Sequence, residues 1–141
     1  MPAQLTDLVA AIRNALDAVH GVGLVFDSYA GPNLTEADFP VVVFSVAPVH
    51  VSTFMPGAAG AVDQVTGGVT VYHFSLAPLG TQAMRELMDK TQEALHQSNI
   101  TTATDWNSIQ TRLVSRSPID ALGEGMYRQV DQYNLIGEGT I

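Results

Sequence analysis

Pro40-Val-Val-Val-Phe-Ser-Val-Ala47 and Val69-Thr-Val-Tyr-His-Phe-Ser-Leu-Ala77 decide the fold. The first is β-branched and almost continuously apolar, and it is too short for a free-standing helix. A strand covered on both faces fits it. The second is equally rich in strand formers. Between them, from Phe54 to Gly68, lie mostly Gly, Ala and other small residues that offer little to pack. These features predict one long β-hairpin over 41–77 with a flexible tip at about 54–68.

Helical periodicity brackets the hairpin. Leu5, Leu8, Val9, Ile12, Leu16 and Val19 recur at i, i+3, i+4, i+7, so residues 2–19 read as an amphipathic helix. Pro2 suits its first turn and Gly21 the position past its end. A second helix is expected over about 82–96, with Met84, Leu87, Met88, Thr91, Ala94 and Leu95 on one side. Shorter strands are expected at 22–26, 109–115 and 126–136, and the tail 137–141 reads as loose. With no repeat and no linker, the 141 residues form one domain, 1–141. The fold class is α+β: a mainly antiparallel, mixed sheet with a long hairpin and two main helices on one face.

Composition narrows the function. Hydrophobic residues make up 46% and charged residues 14%, enough apolar surface to offset the entropy of ordering. No apolar run reaches the ~18 residues of a membrane span, and Met1-Pro2-Ala3-Gln4 lacks the basic start of a signal peptide. Six Lys and Arg against fourteen acids give a net charge of −8. Scattered cations in an acidic chain do not suit phosphate backbones or anionic membranes. Without cysteine there is no thiolate nucleophile, disulfide or Cys-based zinc site, and a reducing compartment is the expectation.

The search for chemistry finds no catalytic residue, no metal site and no cofactor site. Gly21-Val22-Gly23 and Gly123-Glu124-Gly125 lack the spacing of a dinucleotide fingerprint, and no Gly-Lys-Ser/Thr or Gly-x-Ser-x-Gly occurs. If the hairpin turns at Ala61-Val62, His50 comes opposite His73, but two imidazoles fall short of the ligands zinc needs. His20 and His96 sit near helix C-termini, where an imidazolium is favoured by the helix dipole. Asp38, Asp63, Asp120, Glu124 and Asp131 lie in or beside loops or an alternating strand, where solvation is the default.

The layout resembles the tail terminator proteins of long-tailed, siphovirus-type bacteriophages. The parts that carry the resemblance are the helix Leu5–Leu16, the Phe39-Pro-Val-Val-Val-Phe44 strand, the hairpin with its small-residue tip, the helix start Ala83-Met-Arg-Glu-Leu-Met88, and the strand Tyr127–Leu135. The resemblance implies a structural virion protein, not an enzyme, without cofactor. It implies a homohexameric ring that caps the tail tube, stops its polymerisation and presents a surface for joining the head. The implied partners are further copies of itself, the tail tube protein and a head connector or neck protein; the implied location is the virion tail, assembled in host cytoplasm. A neck or head–tail completion protein is the nearest alternative, and a small enzyme or monomeric ligand-binding domain a further one. Phe54, Met55, Val62 and Val65, at and beside the hairpin tip, are the candidate contacts with a neighbouring subunit or the tube, together with the final strand. Acids lining such a ring would let DNA pass without sticking.

Overall fold

A computed structural model describes residues 5–21, 23–27, 40–54, 62–76, 80–96, 98–100, 106–123 and 125–140. The elements run α1 (Leu5–His20), β1 (Val25–Asp27), β2 (Val41–Phe54), β3 (Val62–Leu76), α2 (Gly80–Leu95), β4 (Ser98–Ile100), β5 (Trp106–Arg116), β6 (Asp120–Gly123) and β7 (Met126–Thr140). The strands form one seven-stranded sheet in the order β1-β2-β3-β7-β5-β4, and β6 pairs β7 beyond the end of β5. Only β1–β2 is parallel among the described pairs. The mixed, mainly antiparallel α+β fold expected from the sequence is present.

Both helices bury one stripe. In α1, Leu8, Ala11, Ile12 and Leu16 lie in the core; in α2, Met84, Leu87, Thr91 and Leu95 do. Each fully buried aliphatic chain contributes about 1.5–3 kcal/mol, so these stripes hold the helices to the sheet. Gly21 ends α1 as expected: its φ of +100° suits a residue without Cβ, and its N–H bonds the Asp17 carbonyl at 2.8 Å. Across the sheet, Val42, Phe44, Val65, Val69, Val71, Ile109, Tyr133 and Leu135 complete the core.

Three strand expectations are corrected. The paired arms of the hairpin are longer than expected: Phe54 and residues 62–68 belong to paired strands, and of the proposed tip only 55–61 lie outside the described residues. Its register also differs. Val42 lies opposite His73, and His50 opposite Thr66, with a bulge between Pro48 and His50. The two histidines therefore do not meet across the hairpin. Pro48 lacks an N–H and sits opposite Gly67, so the Gly67-Gly68 pair that reads as loop in fact accommodates an irregularity inside the ladder.

The third correction concerns the tail. Residues 137–140 continue β7, with Gly137 paired to Val65 on one side and Ile109 on the other. β7 is thus an interior strand, and its backbone edge is not available for self-association. Gly137 is fixed by a close approach: a Cβ there would lie 3.1 and 3.2 Å from Trp106 ring carbons and 3.5 Å from Leu8. Gly137→Val is expected to cost about 1–3 kcal/mol through overpacking. Because Trp106 is the one tryptophan, a shift of its fluorescence reads the displacement directly.

Candidate functional site

The helix-facing residues of β7 alternate from Gln129 through Asp131 and Tyr133 to Leu135. The same parity that buries Tyr133 and Leu135 therefore drives an amide and a carboxylate into the interior. Neighbouring strands do likewise: His73 follows Val69 and Val71 into the core from β3, and Arg116 reaches in from β5 past the bulge between Leu113 and Ser115. From the helices come His20, at the end of α1, and Thr91, on the buried stripe of α2.

These side chains form one chain of hydrogen bonds. His20 Nε2 and His73 Nε2 both meet the Thr91 hydroxyl, at 2.8 and 2.6 Å. His73 Nδ1 meets Gln129 Oε1 at 2.7 Å, and Gln129 Nε2 donates to Asp131 Oδ1 at 2.6 Å. Arg116 closes the chain with a bidentate pair, Nε to Asp131 Oδ1 at 2.9 Å and Nη2 to Oδ2 at 3.0 Å. His73, Thr91, Gln129 and Asp131 are each 0% exposed.

The partners fix the direction of the bonds. Gln129 Nε2 also faces the Ser117 and Val130 carbonyls, at 3.1 and 3.0 Å, so its oxygen is left for His73. His73 must then donate from Nδ1 and, as a neutral ring, accept from Thr91 at Nε2. Thr91 in turn accepts from His20 Nε2. That leaves His20 Nδ1 as an acceptor with no hydrogen-bond partner. Burial disfavours the imidazolium at both rings. His20 is lowered to about 4 by desolvation first, then by His73 and Lys90. His73 is lowered by desolvation, against the opposing pull of Asp131 and Gln129, with Arg116 adding to the lowering. The Arg116 guanidinium is raised chiefly by its bond to Asp131, and the Tyr133 phenol is raised by burial and by the nearby carboxylate.

Two sequence expectations change here. Asp131 is not solvated but fully buried and ion-paired. His20 is not a cation on a helix dipole but a buried neutral ring; His96 accepts the Leu113 N–H at Nδ1, 3.1 Å. Asp120 is exposed, the Asp63 and His50 side chains and the whole of Asp38 and Glu124 lie outside the described residues. Among the described residues, no group of three His, Cys, Asp or Glu could hold a metal, and no helix is long and apolar enough to cross a membrane.

Chemically, the chain acts as a lock. It ties both helices to β3, β7 and β5, and its central groups have no surface for a dissolved substrate to reach. Thr91→Val, which keeps the shape and removes the shared hydroxyl, leaves two buried ring nitrogens unpaired. We expect a loss of about 2 kcal/mol, read as a lower urea midpoint with an unchanged slope.

The four candidate contact residues divide. Phe54 and Val62 pair with each other at the far end of the hairpin. Met55 lies outside the described residues. Val65 is 2% exposed and packed in the core, so its side chain offers no contact surface and it is withdrawn from the set.

No known protein family matches the chain, and no curated protein does. Its fold is shared with a chain in the virion of a native gene transfer agent particle, at a TM-score of 0.64 and 17% identity. That likeness covers 97% of this chain and 98% of that one. A second solved protein, whose name carries no function, matches at a TM-score of 0.61 and 10% identity over 97% of this chain and 92% of its own. At such identities the likeness is one of fold.

Proposed function

We propose that this chain is a structural virion protein, a ring subunit that ends a tail tube, stops its polymerisation and offers a surface to the head. The observation that carries the proposal is the shared fold with a virion chain over nearly the full length of both molecules. The internal chemistry agrees with it. The polar side chains that would be candidates for catalysis are spent on one another inside the core, where they rigidify a scaffold. The role proposed for the far end of the hairpin, Phe54 with Val62 and Met55, is contact with the neighbouring subunit or the tube.

The test is association with the cognate tail tube protein. End-on electron microscopy is expected to show closed rings of this chain at tube ends. A chain that never joins a tube end, or one that turns over a substrate, contradicts the reading. Tight, salt-sensitive binding of the purified protein to duplex DNA would equally contradict a passive passage for the genome.

A further inference from the structure

The helices lie on one side of the sheet, and the opposite side is exposed along its central strand. The outward residues of β7 are, in order, Arg128, Val130, Gln132, Asn134, Ile136 and Glu138. The last four are exposed, Ile136 to 42%. About Tyr133 as midpoint the order is complementary to its own reverse: cation, aliphatic, amide, then amide, aliphatic, anion. We infer that a second copy of this chain packs on this face, its β7 running antiparallel over the first, about a two-fold axis at the level of Tyr133.

Under that operation Arg128 meets the partner's Glu138, Val130 the partner's Ile136, and Gln132 the partner's Asn134. Each contact occurs twice, as an isologous interface requires. Parallel stacking would instead set Arg128 on the partner's Arg128 and the anion on the anion. The charges therefore choose both the occupant and its direction.

One nitrogen of the cation is unsatisfied in the single chain. Arg128 Nε is buried without a hydrogen-bond partner, and no ion pair joins it to Asp120, its neighbour across β6–β7, among the described residues. Glu138 meets the Gln64 amide at a long 3.4 Å.

The size suits a weak contact. Ten residues of strand span about 33 Å, and β3, β7 and β5 side by side span about 14 Å; β2 adds little, because its outward Val41 and Val43 are already buried. That is roughly 460 Å² in plan, below one partner's share of an ordinary interface and on the scale of a transient one. The same operation brings Arg112, on β5 beside Asn134, near the partner's Arg112. This repulsion favours a pair that separates readily. The inference goes beyond the ring and does not depend on it.

Sedimentation velocity of the full chain over a concentration series tests it. The unaltered protein is expected to show a monomer–dimer equilibrium. Arg128→Glu alone and Glu138→Arg alone are each expected to weaken it at least about tenfold, since each reverses two contacts per dimer. Mixing the two variants in equal amounts is expected to restore dimers, because the mixed pair recovers both opposite-charge contacts. Near-UV circular dichroism and Trp106 fluorescence check that the variants keep the fold, and Ile136→Lys provides a second disruption. A protein that stays monomeric or forms only rings overturns the inference. So do single reversals that leave the dimer unmoved, or a mixture that fails to restore it.

Discussion

Arg116→Met is expected to be among the most damaging single substitutions in the molecule, costing about 4 kcal/mol. Asp131 is 0% exposed, whereas the Arg116 side chain is 28% exposed. Removing the arginine strands a fully buried carboxylate that still accepts from the Gln129 amide but has lost its countercharge. Breaking a buried pair from one side typically costs 3–5 kcal/mol, because the survivor is an uncompensated charge. Asp131→Leu leaves a guanidinium that can turn toward solvent, so its cost is expected to be smaller, about 3 kcal/mol. Replacing both, as Arg116→Met with Asp131→Leu, is expected to cost less than either single change. Urea denaturation of the four proteins measures the cycle. A double variant whose loss equals the sum of the two singles would show that the pair does not work as a unit.

Acid is the second strong perturbation. His20 titrates near 4 in the folded chain and near 6.5 when unfolded. Between those values the unfolded chain binds a proton that the native chain refuses, so stability rises with pH. The contribution is fully present above pH 6.5, is lost as pH falls, and is exhausted near pH 4, where both states bind the proton. Over that interval the single ring accounts for about 3 kcal/mol. His73, also lowered, adds a loss of the same sign. His20→Gln keeps a donor for Thr91 and has nothing to protonate, so it is expected to flatten the pH dependence by about one proton. Urea midpoints of both proteins at a series of pH values between 4 and 7 measure the difference, in which titrating groups that do not interact with His20 cancel. Parallel curves for the two proteins would contradict the neutral, buried state of His20.

Most of the framework was legible in the sequence because its elements are periodic and amphipathic. α1, α2 and the cores of β2 and β3 follow directly from apolar spacing. The errors have local causes. Gly67-Gly68 and Gly137-Glu138-Gly139 look like loop because glycine is usually a breaker, yet here it serves tertiary demands invisible to local reading. Gly137 makes room for Trp106, thirty-one positions away in sequence, and Gly67 faces Pro48. Counting Gly67-Gly68 as tip moved the presumed turn and slipped the register that paired His50 with His73. The short strands β4 and β6 have too few residues to carry a period.

The polar chain was half legible. Parity alone puts Gln129 and Asp131 on the face of Tyr133 and Leu135, and His73 on the face of Val69 and Val71. That signal was in the sequence, outweighed by the ordinary preference of carboxylates for water. Nothing local, however, links Arg116 to Asp131 or Thr91 to two histidines. Those contacts exist only once the sheet order sets β5 beside β7 and lays both helices across the sheet.

Shape and contact, with no bond made or broken, form the central claim, and the length distribution of tail tubes measures it most directly. Tubes assembled from the cognate tube protein and imaged by electron microscopy are expected to stop at a narrow, defined length when this chain is present and to overrun without it. Identical distributions with and without the chain would contradict the account.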